Sequence, residues 1–389
     1  MLEEQKDLSS SAPQDPENSG PLQQSTAPVV VADSSEEGGG DTDLLDCPGV
    51  GVGASAGGLE AYVELLSGIP ANPEMALVFI PHLSAEHKSH LVEILSRHTP
   101  MQVQEITHGL LCRPNRVYVL PPNARSTISG GHLRLEPRLE SERIPRPIDH
   151  FFQSLASDQK NHAIGVLLSG ADADGSLGLK AIKGEGGITI AQTPDSARFS
   201  EMPRSGILVD HVDLILPPGR MGQELAQIGK QFHAPKVRPL EEGQLPQDGE
   251  QQYEKLLSML RNVSGLDFRD YKQTTLQRRL ARRMMLKHID GLGDYLRYLQ
   301  ARPEELRQLQ EDALINVTRF FRDPEVFDAL KTQILPELFP NKHASEPIRV
   351  WCAGCSTGEE AYSLAITLLE YFAGQPGEPS IQIFGTDAS

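Results

Sequence analysis

The stretch GVGVGASAGGLEA presents a serine, Ser55, within a turn built almost entirely from small residues. A Gly-x-Ser-x-Gly pattern, here Gly53 to Gly57, is typical of a nucleophile elbow, in which small neighbours permit a sharp turn between a strand and a helix. The backbone N–H groups at the start of that helix can stabilise the oxyanion of a tetrahedral intermediate. The pattern therefore predicts acyl transfer through Ser55.

The same turn also matches a dinucleotide-binding pattern, Gly51-x-Gly53-x-x-Ala56. That pattern requires an acidic residue at the end of the second strand, about 20 residues further on, to bind the ribose hydroxyls. The second predicted strand, ALVFIPH, ends in His82 and carries no acidic residue. The sequence thus favours a nucleophilic serine over a nucleotide site.

A nucleophilic serine needs a base, and the base needs an acid that orients it. His82 ends one predicted strand, while Asp172 and Asp174 follow another in AIGVLLSGADADGSLG. Because the carboxyl ends of parallel strands meet at one edge of a sheet, we expect these side chains to lie near Ser55. Each signal alone also has a structural explanation, such as an aspartate that caps a helix. Together they predict a Ser-His-Asp site, in a chain order that differs from that of ordinary α/β-hydrolases.

The elements that must position this site alternate between apolar strands and amphipathic helices from residue 49 to residue 232. This alternation predicts an α/β domain with a doubly wound parallel sheet. The predicted strands are GVGVGAS, ALVFIPH, RVYVLPP, AIGVLLSG, GITIAQ and VDLILPP, and ARSTISGG is predicted to form a short hairpin with HLRLEPR.

The rest of the chain is organised differently. Residues 233–249 contain three prolines and no periodicity, which predicts a linker. Residues 250–340 carry one helical pattern after another and predict an all-α helical domain. Residues 341–389 begin a further domain with a β-α-β pattern. Because nucleotide-binding sheets usually have about five or more strands, we expect the chain to end within this last domain.

Acidic residues dominate the formal net charge, which is −17 for the 389-residue chain. Residues 1–48 hold eleven acidic residues and one lysine among many polar ones, which predicts a disordered acidic tail. This balance gives no reason to expect a nucleic-acid partner. No apolar run reaches the roughly 18 residues of a membrane span and no signal peptide is recognisable, so we expect a cytoplasmic protein. Cys352-x-x-Cys355 lacks a second pair of ligands, and no metal site is predicted.

The segments GASAGG, IPHLS and LLSGADADGSLGLKAIKGEGGITIAQTPDSARFSEMPRSGI resemble the catalytic domain of the chemotaxis protein-glutamate methylesterases (CheB), over roughly residues 49–232. The resemblance implies hydrolysis of glutamyl methyl esters on chemoreceptors without a cofactor, and deamidation of receptor glutamines. It also implies that Ser55 is the nucleophile, His82 the general base and Asp174 the acid that orients the base. The sequence departs from the family pattern at Asp172, where members often have glycine.

The segments ALINVTRFFRDPEVFDAL and RVWCAGCSTGEEAYSLAI resemble the chemotaxis protein-glutamate methyltransferases (CheR). The small-residue turn CAGCSTG, followed by Asp387 at the end of the next strand, suits either a dinucleotide or S-adenosylmethionine. The resemblance implies a Rossmann-like domain that binds S-adenosylmethionine. By motif, Thr318 and Arg322 should lie near its methionyl end, and Glu359 or Glu360, together with Asp387, should hold its polar groups.

Four arginines recur at helical spacing in YKQTTLQRRLARRMMLKHID and form a basic stripe: Arg278, Arg279, Arg282 and Arg283. One interpretation is a solvated helix face. The other is a docking surface for an acidic receptor helix, which the resemblance to the CheR helical domain implies and electrostatic steering would favour. Nucleic acid is a weaker alternative because the surrounding sequence is acidic.

The sequence as a whole predicts an esterase–methyltransferase fusion of a chemosensory pathway. Its expected partners are methyl-accepting chemoreceptor-type proteins, with a sensor kinase as a further candidate. The rival hypothesis is a non-catalytic regulatory module that recognises receptor or kinase partners through the esterase-like domain.

Overall fold

The computed structural model describes residues 47–82, 90–137, 145–208, 212–233, 247–314, 318–339, 347–373 and 379–388. The predicted acidic tail lies outside the described residues except for its last two positions, and so does most of the predicted linker. Across the part of the chain that is described, no helix combines the length and apolar character needed to cross a membrane.

Twelve strands are present among the described residues. They are β1 (Gly49–Ala54), β2 (Ala76–Pro81), β3 (Gln102–Glu105), β4 (Leu110–Leu111), β5 (Arg116–Val119), β6 (Ala124–Ser129), β7 (His132–Pro137), β8 (Ala163–Leu167), β9 (Ile188–Gln192), β10 (Leu214–Leu216), β11 (Ile348–Ala353) and β12 (Ile381–Thr386). Seven of them form one parallel sheet in the order β10-β9-β8-β1-β2-β5-β3.

The parallel sheet confirms the predicted α/β domain, including all six predicted strands and the hairpin of β6 with β7. Strand β3 was not predicted because its sequence, QVQE, is short and holds a single apolar residue, Val103, which packs against the apolar cluster on one side of the sheet. Such short polar strands are typical of a sheet edge, and β3 is the edge strand of this sheet. Strands β4, β6 and β7 form a separate antiparallel sheet beside it.

Thirteen α-helices are present among the described residues. They are α1 (Gly58–Ser67), α2 (Leu91–Ser96), α3 (Pro147–Gln159), α4 (Ser176–Gly184), α5 (Glu201–Leu208), α6 (Pro218–His233), α7 (Gln247–Ser264), α8 (Gln273–Leu286), α9 (Leu292–Ala301), α10 (Pro303–Ala313), α11 (Pro324–Ala329), α12 (Leu335–Leu338) and α13 (Glu359–Phe372).

Strand β1 separates two apolar clusters because valine and glycine alternate along it. Its valines face a cluster built with α1 and α6, while its glycines face α3 on the other side of the sheet. A Cβ atom at Gly51 would lie 2.7 Å from the ring of Phe152, and one at Gly53 would lie 2.5 Å from Ile148. Because these glycines lie within the strand and permit close packing of α3, the dinucleotide interpretation of GVGVGA is not needed to explain them.

Helices α7 to α10 surround a third apolar cluster, which confirms the predicted all-α domain. After them, β11 and β12 pair in parallel with α13 between them in sequence, as the β-α-β pattern predicts. Between β9 and β10, the segment EMPRSGIL forms helix α5.

The basic stripe on α8 does not face solvent, and both interpretations of it were wrong for three of its four arginines. The side chain of Arg282 is 1% exposed and forms ion pairs with Asp213, just before β10, and with Asp312 on α10. Its Nε donates a 2.8 Å hydrogen bond to the carbonyl of Gly187. Arg282 therefore joins the α/β domain to the helical domain.

Two further arginines of the stripe, Arg279 and Arg283, also bind groups on other helices of the chain. Arg279 donates to the carbonyls of Lys183, at 2.5 Å, and Gly184, at the C-terminal end of α4. Arg283 forms a two-point ion pair with Glu305 of α10. Helical spacing predicted that the arginines share a face, but it could not reveal which groups that face would meet.

Candidate active site

The turn after β1 has the geometry of a nucleophile elbow. Strand β1 ends at Ala54, Ser55 follows, and α1 begins at Gly58. The backbone N–H of Ser55 donates to the carbonyl of Ser169 at 2.9 Å, which fixes the turn to the neighbouring strand end. Gly57 has φ +71°, and a Cβ there would lie 2.9 Å from Ser169 Oγ, so a glycine is required. The half-buried Ser55 thus lies at the carboxyl edge of the sheet.

His82 lies beside this turn because of the register between β1 and β2. Ala54 pairs with Pro81, and the N–H of His82 donates to the carbonyl of Ala54 at 3.1 Å. The side chain of His82 is mostly buried. The parallel sheet therefore brings His82 and Ser55 to the same edge, as the sequence predicts.

Asp174 meets His82 from the turn that follows β8. Its Oδ2 lies 2.7 Å from His82 Nε2, and its side chain is 2% exposed. The backbone N–H of Ile148 donates to Oδ2 and that of Asp149 to Oδ1, both at 2.9 Å. These donors lie in the first turn of α3, where backbone N–H groups have no partner within the helix. Asp174 is thus a rigidly held acid for the imidazole.

A second carboxylate, Asp172, contacts the other nitrogen of the same ring. Its Oδ2 lies 3.1 Å from His82 Nδ1, and its Oδ1 accepts a hydrogen bond from the N–H of Asp174. Burial alone would lower the pKa of His82, but the hydrogen bonds and charges of Asp172 and Asp174 raise it to about 9. The sequence left Asp172 and Asp174 as alternatives for the acid, whereas the structure brings both to the histidine.

Ser55 is not part of the hydrogen-bonded pair that His82 forms with Asp174. Within the residues that the structure describes, no hydrogen bond connects Ser55 Oγ to His82. The N–H groups of Ala56 and Gly57 likewise donate no hydrogen bond among these residues, which leaves them suitable as oxyanion donors. The hydrogen bond between His82 and Asp174 is therefore formed, whereas none between Ser55 Oγ and His82 is found in the described part of the chain.

Ser169 was not predicted from the sequence, although its side chain forms a hydrogen bond with the elbow that carries Ser55. Its Oγ donates to the carbonyl of Ala56 at 2.8 Å and accepts from the N–H of Phe199 at 3.0 Å. Its own N–H donates to Gln192 Oε1. The only signal in the sequence was that Ser169 stands at the end of a predicted strand, in LLSG, where site-supporting residues occur.

A second candidate site lies where α11, α13 and the turn after β11 meet. A cleft of about 410 Å³ is lined by Thr318, Arg322 and Glu360. Ser356 also lines it, and the N–H of Ser356 donates to Asp387 Oδ2 at 2.7 Å, so Asp387 lies at the edge of the cleft. Four of the five predicted cofactor-binding residues therefore lie together.

The fifth predicted cofactor residue, Glu359, does not line the cleft, and its carboxylate accepts from the hydroxyl of Thr357. Of the two glutamates that the sequence left open, the structure favours Glu360. In the described part of the chain, no group of three or more histidine, cysteine or acidic side chains is arranged to hold a metal ion.

Comparison with protein families divides the chain into three matched segments. The model for CheB methylesterase matches residues 50–225, that for the all-alpha domain of CheR methyltransferase matches 251–314, and that for the CheR SAM-binding domain matches 316–389. These boundaries agree with the α/β domain, the helical domain and the β-α-β unit described above.

Similar proteins carry names consistent with these matches. A protein-glutamate methylesterase/protein-glutamine glutaminase of Geobacter sulfurreducens is 31% identical over 46% of this chain and 51% of its own length. A Leptospira interrogans relative named for the same two activities is 32% identical over 42% of this chain and 86% of its own length. A 104.1 kDa Rhodobacter capsulatus protein of uncharacterised function is 35% identical over 76% of this chain.

The chain spans a third to about half the length of the first relatives that it matches. Among solved structures, the CheB methylesterase catalytic domain of Thermotoga maritima aligns with a TM-score of 0.44 and 24% identity, over 47% of this chain and 98% of that one. By its family match and its relatives, this chain belongs to the CheB protein-glutamate methylesterase family, joined in one polypeptide to the all-alpha and SAM-binding domains of the CheR methyltransferases.

Proposed function

We propose that the α/β domain is a protein-glutamate methylesterase that hydrolyses glutamyl methyl esters on chemoreceptor-type proteins. The observation that carries the proposal is the 2.7 Å contact of His82 with the rigidly held Asp174, at the sheet edge where the elbow presents Ser55. Relatives named for methylesterase and glutaminase activity support this substrate class and add glutamine deamidation as a second reaction. A sensor kinase as a further partner stays a prediction.

In the proposed reaction, Ser55 Oγ attacks the carbonyl carbon of the ester while His82 accepts the hydroxyl proton. The oxyanion that forms accepts hydrogen bonds from the N–H groups of Ala56 and Gly57. Collapse of the intermediate breaks the bond to the methoxy oxygen, which takes the proton from His82 and departs as methanol, and an acyl-enzyme remains. Water then attacks with His82 as base, freeing the glutamate and regenerating Ser55. Asp174 keeps the imidazole oriented through both halves.

The second candidate function is a non-catalytic regulatory module that binds receptor or kinase partners. One observation favours it: both ring nitrogens of His82 are held by carboxylates, and among the described residues no hydrogen bond joins the serine to the histidine. The two functions differ in whether Ser55 is chemically activated, because a regulatory module does not require a reactive serine.

We expect a fluorophosphonate probe to label the folded chain on the peptide that contains Ser55, because only an activated serine attacks such a probe readily. Mass spectrometry of the digested chain locates the adduct, and the heat-unfolded chain is the control. The same preparation, incubated with a methylated chemoreceptor fragment between pH 7 and pH 10, is expected to release methanol. A folded chain that is neither labelled nor active would instead favour the regulatory module.

We further propose that residues 316–389 contribute a binding surface for S-adenosylmethionine, as their family match supports. The residues present fit such a group, because the cleft of about 410 Å³ lies within the range of small-molecule sites and combines Arg322, Glu360 and a positive-φ glycine turn at Gly354. When bound, S-adenosylmethionine supplies a methyl group for transfer to a glutamate carboxylate. In this proposal Arg322 pairs with the cofactor carboxylate and Asp387 accepts from its ribose hydroxyls.

Replacing Asp387 with asparagine is expected to weaken S-adenosylmethionine binding by about 10- to 100-fold, since a hydrogen bond to a charged acceptor contributes about 1.5–3 kcal/mol. Titration calorimetry with the chain measures this change directly. Glu370→Gln is the matched control, because Glu370 is an exposed acid on α13 that pairs with Lys331, away from the cleft. Equal affinity of the Asp387→Asn and Glu370→Gln variants would exclude Asp387 from the site.

A further inference from the structure

His82 has no ring nitrogen left for Ser55. A histidine that activates a serine offers one nitrogen to the hydroxyl and the other to the orienting acid. Here Asp174 lies 2.7 Å from Nε2 and Asp172 lies 3.1 Å from Nδ1. The ring is therefore bound at both ends by carboxylates, and the serine can engage it only after one of these contacts is released.

We infer that Asp172 is a positioning residue that holds His82 in a resting state, and that the site becomes active when His82 Nδ1 leaves Asp172 and turns to Ser55. The inference rests on the proposed esterase function of this site. It assigns Asp172 a role distinct from that of Asp174, which stays bound to Nε2 in both states.

The two carboxylates differ in how firmly they are held. The side chain of Asp174 is 2% exposed and is fixed by two backbone donors of α3. The side chain of Asp172 is 42% exposed, lies in a turn between the exposed Ala171 and Ala173, and has the longer contact with the ring. Of the two contacts, that of Asp172 is the one able to open without disturbing buried structure.

The charges around the ring favour an imidazolium in the resting state. Asp172 and Asp174 contact His82 directly, and Asp149 lies behind Asp174, where Arg146 pairs with it at 3.2 Å. Burial would raise the pKa of Asp172, but its hydrogen bond with His82 holds it below the usual value. Two carboxylates therefore flank one cation, and a protonated His82 cannot accept a proton from Ser55.

The direction of the pH dependence follows from this arrangement. The pKa of His82 is raised from 6.5 to about 9, so the imidazolium and its pairing stabilise the fold fully below pH 6.5. This stabilisation is lost as the pH rises through about 9, and over the same range His82 becomes the neutral base that catalysis requires. Serine reactivity should therefore rise across this range of pH.

The test compares Asp172→Asn, which keeps a hydrogen-bond acceptor but removes the charge, with Asp172→Ala, which removes both. Nitrogen-15 NMR of the His82 ring and the rate of fluorophosphonate labelling of Ser55 are followed from pH 5 to pH 10. An opposite charge at this distance raises the pKa of a histidine by about 1–3. Both variants should therefore lower the pH at which the His82 ring titrates by about the same amount. Labelling at pH 7 should then rise about tenfold or more.

Asp195→Asn is the matched control, since Asp195 is an exposed acid at the same edge of the sheet and has no contact with His82. In this control variant, the titration midpoint of the His82 ring should equal that of the unaltered chain. Labelling of Ser55 with an unmoved midpoint in Asp172→Ala would overturn the inference while leaving the esterase proposal intact. Absence of labelling from every variant, with the chain folded, would contradict the proposed function itself, and the NMR midpoint would then decide whether Asp172 holds the ring.

Discussion

Replacing Ser55 with alanine is expected to lower methanol release from a methylated receptor fragment by about 10⁶-fold, the loss seen when a serine nucleophile is removed from a working triad. The variant removes the atom that forms the acyl-enzyme, while the backbone donors of the elbow remain. Residual turnover should come only from those donors and from substrate binding.

The fold should be unaffected by this change. The backbone N–H and carbonyl of Ser55 make the contacts that shape the turn, to Ser169 and from Gly58, and alanine keeps both. Within the described residues, Ser55 Oγ makes no hydrogen bond to His82 that the substitution could remove. The free energy of unfolding of the variant should therefore match that of the unaltered chain within about 0.5 kcal/mol.

The measurement is methanol release at pH 9, close to the raised pKa of His82 and therefore with a large share of the rings neutral, with urea unfolding on the same preparations. Ser67→Ala is the matched control because Ser67 is an exposed serine at the far end of α1 whose hydroxyl donates to the carbonyl of Val63. The control should retain full activity. Turnover by Ser55→Ala near that of Ser67→Ala would mean that another group is the nucleophile, and the esterase assignment of the elbow would fail.

The sequence was sufficient to predict that these residues lie at one edge of the sheet, because each of them follows a strand. Continuous apolar runs identify buried parallel strands, and parallel strands bring their carboxyl ends to one edge, so Ser55, His82 and Asp174 could be expected together. The second contact of His82, with Asp172, depends on the exact path of the ADADG turn. Such a path is set by local hydrogen bonds and not by periodicity, so the sequence offered two acids without showing that both reach the ring.

In the helical domain, by contrast, the sequence pattern did not predict what the side chains contact. Periodicity predicted its helices and also the shared face of its arginines, but not that this face is buried against the α/β domain. An arginine stripe has the same spacing whether it meets water, a partner or a carboxylate of its own chain. The burial of Arg282 against the α/β domain depends on Asp213 and Gly187, which stand far before it along the chain, and no local pattern connects these residues.

Replacing Arg282 with methionine is expected to destabilise the chain by about 3–5 kcal/mol, the usual result when one partner of a buried ion pair is removed. Burial would raise the pKa of Asp213, but the charges of Arg282 and Lys183 hold it below its usual value. Without Arg282, Asp213 keeps Lys183 at 3.6 Å, while Asp312 loses its closest cation. Two buried carboxylates are then poorly compensated, and α8 loses its bond to Gly187.

Urea unfolding followed by circular dichroism measures this loss, and hydrogen exchange at residues 183–187 reports whether α8 has left the α/β domain. Arg297→Met is the control, because Arg297 forms an exposed pair with Asp294 and such pairs contribute little. Adding Asp213→Asn to Arg282→Met should recover part of the stability, since it removes the charge that the first substitution left unpaired. A loss no greater than that of Arg297→Met would contradict the buried pairing.

The same experiment tests whether the buried arginines of α8 are available to bind a partner. While Arg282 pairs with Asp213 and Asp312, and Arg279 binds the carbonyls at the end of α4, these side chains cannot also receive an acidic receptor helix. If Arg282→Met is as destabilising as expected, docking of a receptor on this face would have to break contacts worth several kcal/mol. In the proposed function, receptor recognition would then use a surface other than these buried arginines, or would first require separation of the helical domain from the α/β domain.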